Sequence, residues 1–106
     1  MSLEIVHTHT GARITGELDM ATAPHLKVFL SDESPTGRFE LDVSGLSFMD
    51  SSGLEVLLRH ASSRSDDAPL VVRDPTRPVL RVFEIAVPGG VDGLELETER
   101  EAESVG

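Results

Sequence analysis

The 106-residue chain has no cysteine, which excludes both a disulfide framework and a thiolate metal site. Long hydrophobic runs are also missing, since no stretch approaches the ~18 consecutive apolar residues of a membrane-spanning helix. The opening Met1-Ser2-Leu3-Glu4-Ile5 carries neither the basic flank nor the apolar run of a signal peptide. Positive charge is scarce as well. Eight Arg and one Lys stand against 19 acidic residues, for a net charge of −10. A surface that negative repels phosphate backbones and anionic headgroups, which argues against nucleic-acid binding and direct membrane insertion. It suits a protein that meets a basic patch on another protein. These absences lead us to expect a soluble cytoplasmic protein with one core.

Apolar periodicity places the elements. Leu3 to His7 reads as a short strand with Leu3 and Ile5 on one face, and Thr8-His9-Thr10-Gly11 as a turn. Ala12 to Leu18 resumes the alternation as a second strand. A helix follows, with Thr22 as N-cap, Pro24 in the first turn and a stripe of Leu26, Phe29 and Leu30. Ser34-Pro35-Thr36-Gly37 is expected to end it. Arg38 to Val43 alternates polar and apolar, so it predicts a strand with Phe39, Leu41 and Val43 inward. Ser44 to Asp50 is then a loop into a helix that starts at Ser51 or Ser52 and carries Leu54, Leu57, Leu58 and Ala61. Ser52 and Glu55 have the spacing of a capping box.

Ala68 to Arg73 is a short apolar strand, as expected inside a sheet covered on both faces. Asp74 to Pro78 opens a third helix with a stripe of Val79, Val82, Phe83 and Ala86, stopped by Pro88-Gly89-Gly90. Leu94 and Leu96 alternate with Glu95 and Glu97 as a final edge strand. The order β-β-α-β-α-β-α-β predicts an α/β domain over residues 1–97, with helices packed against a mixed four- to five-stranded sheet. Residues 98–106 form an acidic tail, expected to fray.

The segment Leu41 to Leu54 is more than a connection. It sets Phe48 and Met49 beside Asp50-Ser51-Ser52-Gly53 at the mouth of a helix, after a strand's C-terminal end, where α/β domains engage ligands and partners. Phe48 and Met49 either tuck under the helix or form a contact patch. Tucking is the favoured reading for Phe48, and both remain open for Met49. Ser51 and Ser52 read as plain helix caps on general grounds, and Asp50 as a capping carboxylate, a role that leaves partner contact possible.

The run Ser47-Phe48-Met49-Asp50-Ser51-Ser52-Gly53-Leu54 resembles the phosphorylation-site signature of bacterial anti-sigma-factor antagonists of the STAS type. Gly16-Glu17-Leu18-Asp19, followed by Ala21-Thr22-Ala23, resembles a second marker of that family, and the element order matches its fold. The resemblance covers residues 3–97. It implies that Ser51 is the phosphate acceptor. It also implies a contact surface made of Asp19, Met20, Thr22, Met49, Asp50, Ser51, Ser52, Gly53 and Leu54. The implied partners are an anti-sigma factor that is itself a serine kinase, and a serine phosphatase that removes the phosphate. The protein would then be a substrate and ligand rather than a catalyst, without cofactor or metal.

An independent reading of the residues agrees that no enzyme is legible. Ser51 lacks the Gly-x-Ser-x-Gly elbow, no Walker-type loop occurs, and the four histidines form no helical i, i+4 metal pair. His7 and His9 would share a strand face, a weak metal hint beside the favoured reading of solvent exposure. The C-terminal third departs from the family pattern. The connection Val87 to Gly93 is long and glycine-rich, and the usual final helix is reduced to an acidic stub. A non-switching STAS subunit of a transporter or a stressosome-like scaffold is the rival reading.

Overall fold

The computed structural model describes residues 2–33 and 37–98. The elements run β1 (Leu3–His7), β2 (Gly11–Leu18), α1 (Ala23–Ser31), β3 (Phe39–Met49), α2 (Ser51–Ser62), β4 (Leu70–Arg73), α3 (Arg77–Ala86) and β5 (Leu94–Glu97). β1 pairs antiparallel with β2, and a turn held by Thr8 N–H donating to the Gly11 carbonyl at 3.0 Å joins them. Every later pair is parallel, and the strands lie in chain order, β1-β2-β3-β4-β5. The fold is the mixed α/β sheet that the element order predicted.

Strand order also determines which face is covered. Each crossover from β2 onward steps in the same direction, and right-handed crossovers of that kind deliver all their helices to one side. The core therefore forms one cluster between that face and the helices, built on Ile14, Leu18, Leu41, Leu57, Val72 and Phe83. Burying each such side chain contributes about 1.5–3 kcal/mol.

The expectation of a sheet covered on both faces is corrected by the second face. There Arg13 pairs with Asp42 at 3.3 Å, Arg73 with Glu40 at 3.2 Å, and Arg38 with Glu40 at 3.3 Å and Glu97 at 2.7 Å. Val71 lies in the row these ion pairs span, between its register partners Glu40 and Glu95, and is fully buried without joining the helix-side core. An uninterrupted apolar run thus records burial beneath charged side chains as readily as burial beneath a helix. Arg13 and a hydrogen bond from the Ser44 N–H act on the Asp42 carboxyl. Burial alone would raise that group, but these contacts outweigh it and hold the group below the ordinary carboxylate value.

β3 is longer than its alternation suggested. The expected loop from Ser44 is strand as far as Met49, because two extra residues are bulged into β3 against β2. Arg13 pairs with Asp42 but Thr15 with Gly45; Gly16 pairs with Leu46 but Glu17 with Phe48. Buried positions consequently fall at Phe39, Leu41, Val43, Leu46 and Met49, a spacing of two that becomes three. Side chains serve the bulges. Asp42 Oδ1 accepts from Ser44 N–H at 2.9 Å, and Ser47 Oγ donates to the Gly16 carbonyl at 3.1 Å.

At the C-terminal edge, β5 forms as expected. The glycine-rich connection before it has a packing role. Gly93, at φ +82°, sits where a Cβ would strike the Ala61 carbonyl and come within 3.0 Å of the Arg64 carbonyl. Of the segment expected to close α1, Ser34 to Thr36 lie outside the described residues, as do residues 99–106 of the expected frayed tail. No helix among the described residues is long and apolar enough to cross a membrane.

Candidate functional site

β2 and β3 end side by side, Leu18 opposite Met49, and each feeds a helix through a short acidic turn. The two turns are tied together, since Asp50 N–H donates to the Leu18 carbonyl at 3.1 Å. The sequence therefore assembles its two marked segments at one end of the sheet.

After β3, Asp50 is extended and caps α2. Its Oδ1 accepts from Ser52 N–H at 2.9 Å and Gly53 N–H at 3.3 Å. The capping box expected of Ser52 and Glu55 does not form, because Ser52 lies inside the first turn and Glu55 instead pairs with Arg59 at 2.9 Å. With the cap supplied by Asp50, Ser51 is the first helical residue, exposed, and its hydroxyl has no hydrogen-bond partner among the described residues. Ser52 is half-buried. Gly53 permits the helix to start there, since a Cβ would lie 2.7 Å from Leu18 Cδ2 and 3.1 Å from Met49 Cγ.

After β2, Asp19 and Thr22 form a closed polar knot. Asp19 Oδ1 accepts from Ala21 N–H at 2.9 Å and Thr22 N–H at 3.0 Å, while Thr22 Oγ1 donates to the Glu17 carbonyl at 2.8 Å. Thr22 stands at the N-cap position of α1, but its hydroxyl is spent on this knot and caps no helix N–H. Pro24 lies in the first turn, as expected.

Burial divides the predicted contact set. Asp19, Thr22, Met49, Gly53 and Leu54 are buried, whereas Met20 is 77% exposed, Ser51 exposed, and Asp50 and Ser52 half-buried. The favoured tucking of Phe48 is corrected, for Phe48 is 42% exposed and Met49 is the residue beneath the helix. The second bulge explains this, as it puts Phe48 opposite Glu17 on the ion-pair face and returns Met49 to the core face. The two bulges cancel in parity, so alternation carried on from Phe39, Leu41 and Val43 gives the same assignment, which is hidden because the segment from Ser44 reads as loop.

The other end of α2 carries a cluster that the sequence reading missed. Arg64 is buried, its guanidinium 5.5 Å from the Phe39 ring centre, and donates to His60 Nε2 at 3.0 Å and the Gly37 carbonyl at 2.7 Å. Burial, then the nearby Arg64 charge, push His60 below its ordinary pKa. His7 ends β1 with its ring 5.0 Å from that of Phe29, while His9 lies in the turn, so the two do not share a strand face. Among the described residues no group of three or more His, Cys, Asp or Glu could hold a metal ion.

Comparison with known proteins agrees with this geometry. A family model described as "Mlab, STAS domain" matches residues 1–96. Three solved structures share the fold at low identity. The first is a putative anti-sigma factor antagonist from Thermotoga maritima (19% identity, TM-score 0.72, covering 97% of this chain and 92% of that one). The second is an anti-sigma factor antagonist from Mycobacterium paratuberculosis (20% identity, TM-score 0.67, covering 89% and 84%). The third is the Bacillus cell fate determinant SpoIIAA in its phosphorylated form (21% identity, TM-score 0.59, covering 98% of both).

Proposed function

The chain belongs to the STAS domain family, and from that premise we propose that it is an anti-sigma-factor antagonist switched off by phosphorylation on Ser51. In this reading it binds an anti-sigma factor that is a serine kinase, and the sigma factor held by that kinase is released. The observation that carries the reading is the free hydroxyl of Ser51. Asp50 performs the capping that a serine at this position usually performs, which leaves Ser51 Oγ exposed for phosphoryl transfer without unfolding. The hydroxyl oxygen attacks the γ-phosphorus of ATP, ADP departs, and the hydroxyl proton passes to a base of the kinase.

Phosphorylation adds about −1.5 to −2 charges one residue from Asp50. A helix start ordinarily favours an anion by roughly 0.3–2 kcal/mol. Here the Asp50 carboxylate already occupies the Ser52 and Gly53 N–H groups, so the phosphate has no vacant cap to fill and stays turned toward the partner. A partner face closed over Ser51 would have to bury that charge unpaired, at a cost of several kcal/mol, and each ~1.4 kcal/mol is tenfold in affinity. Binding is lost while the fold stays intact, and a serine phosphatase restores the binding form. Met20, Asp50, Ser51 and Ser52 make the contacts in this scheme, while buried Asp19, Thr22, Met49, Gly53 and Leu54 hold them in place. The protein acts in the cytoplasm as ligand and substrate, with no catalysis or cofactor of its own. A solved neighbour captured in a phosphorylated form supports this direction.

The rival is a non-switching STAS subunit of a larger assembly. The matched family model favours it to the extent that its description names a STAS domain and no antagonist role. Phosphosite mapping separates the two. The wild-type chain, Ser51→Ala and Ser52→Ala are incubated with ATP and lysate of the source organism, then digested for mass spectrometry. One phosphate on Ser51, absent from Ser51→Ala and retained in Ser52→Ala, is expected. An unmodified Ser51 beside demonstrably active serine kinases would leave the non-switching subunit as the better reading.

A further inference from the structure

The ion-pair face of the sheet is polar along β2, β3 and β4, with Arg13, Thr15, Glu40, Asp42 and Arg73 on it. At its C-terminal end that pattern breaks. Phe48, 42% exposed and the register partner of Glu17, is turned out onto this face. Met20, 77% exposed, follows β2 at the same end. Leu18 and Met49 are register partners on strands about 4.8 Å apart. Met20 lies two residues beyond Leu18, and Ser51 two residues beyond Met49, so Met20, Phe48 and Ser51 lie at the same end of the sheet. Isolated exposed apolar residues need no explanation, but two large flexible or aromatic side chains exposed at the same sheet end as an exposed, unbonded serine hydroxyl have the composition of an interface core.

We propose that Phe48 and Met20 form an apolar lip by which the unphosphorylated Ser51 rim docks its serine kinase, extending the contact over the sheet end onto the ion-pair face. This rests on the kinase reading above and specifies the partner's chemistry. Glu17 lies opposite Phe48 in the register and Asp50 precedes Ser51, on a chain of net charge −10. The complementary surface is therefore an apolar recess that takes a phenyl ring and a thioether, rimmed by Arg or Lys side chains facing Glu17 and Asp50. A phosphate on Ser51 would sit inside that rim, against the recess rather than at the edge of the contact.

The test uses the full chain and the purified kinase that phosphorylates Ser51, titrated in ADP so that no phosphoryl transfer occurs. Phe48→Ala and Met20→Ala are each expected to weaken binding roughly 10- to 100-fold, and Phe48→Leu to recover most of the loss. With ATP, both alanine variants should raise the KM for the chain as phosphoryl acceptor and leave kcat unchanged. Ile85→Ala, which removes a 75% exposed side chain from α3, should bind as wild type. Thermal melting is expected to be unchanged in all four variants. Wild-type affinity in both Phe48→Ala and Met20→Ala, with Ser51 still phosphorylated, would overturn the lip and leave the switch standing. A wild-type chain that self-associates and becomes monomeric in Phe48→Ala would assign the rim to a second copy and equally overturn it. Failure of any kinase to modify wild-type Ser51 would remove the switch and the lip together.

Discussion

Replacing Gly53 by Ala tests the packing that aims Ser51. On helix propensity alone the substitution should stabilise, because Ala is favoured over Gly inside a helix by about 1 kcal/mol. The site opposes this. The added Cβ would collide with Leu18 Cγ, lie 2.7 Å from Leu18 Cδ2 and 3.1 Å from Met49 Cγ. Leu18 is fully buried and Met49 is 3% exposed, so neither side chain has solvent to swing into, and Leu18 is struck near its branch point rather than at a free end. Overpacking of this kind costs typically 1–3 kcal/mol. Set against the propensity gain, the net is a destabilisation of up to about 2 kcal/mol, read as a fall of about 4–8 °C in Tm per kcal/mol for a domain of this size. Urea and thermal unfolding of the two chains measure it. Leu18→Ala supplies the second arm. Alone it should cost about 2–5 kcal/mol, and in that background Gly53→Ala should become neutral or stabilising as its methyl enters the vacated space. A rise in Tm for Gly53→Ala in the wild-type background would refute the close-packing argument, and with it the claim that the strand ends hold the first turn of α2.

Asp50→Ala should lower stability by about 1 kcal/mol through loss of the α2 cap, and Asp50→Ser should lose less, both read from urea midpoints. Equal losses for the two would mean that the Ser52 and Gly53 N–H groups do not depend on that oxygen. Acidification should destabilise the domain through His60. Its pKa is lowered in the fold by burial and by Arg64, so the unfolded chain takes up the proton first. Stability should therefore fall as pH drops through about 6.5 toward the folded value, by at most ~1.4 kcal/mol per pH unit from this one group. Unfolding midpoints at pH 7.5, 6.5 and 5.5 should show that slope in the wild type and a shallower one in His60→Gln; identical slopes would exclude His60 as its source. The Asp42 contribution has the same sign in a more acidic window. Its carboxyl is held below the ordinary value, so its stabilisation is lost only on descent through the more acidic carboxylate range.

Most of the architecture was legible because the local signals agree with one another. Leu3 to His7 and the strand ending at Leu18 lie where alternation put them, Pro24 sits in a first turn, and the apolar stripes of the three helices pack on the core except for Ala86, which is exposed at the end of α3. The failures share a cause. Alternation is a local signal, while the period of β3 is set by its neighbour. Inserting Ser44 and Ser47 keeps β3 in phase with β2 and destroys the two-residue rhythm by which a strand is recognised, so its last six residues read as loop. Val71 shows the same limit across the sheet. Its register partners Glu40 and Glu95 are both bridged by Arg38 from across the sheet, and no window of sequence around residue 71 contains that information. The capping reading of Asp50 holds while the Ser52–Glu55 box does not form, because Asp50, Ser51 and Ser52 are all competent caps and which one serves depends on where β3 stops.

The bulges also bear on how a switch can be mounted on a rigid domain. With its first bulge alone, β3 would have brought Phe48 inward and Met49 outward, burying one large side chain in place of another at little difference in core volume. The inserted Ser47 reverses the pair, and its hydroxyl bond to the Gly16 carbonyl holds the reversal to β2. Leu46, just before it, is held from the other side by Thr76 Oγ1 donating to its carbonyl at 2.7 Å, a bond from the turn before α3. The bulged end of β3 is therefore clamped between β2 and the β4–α3 turn beyond the last residue that pairs with β4. In the proposed switch, such a support would let charge change at Ser51 without moving the strand beneath it. The energy of the proposed modification would then be expressed in what the rim can bind rather than in the stability of the fold.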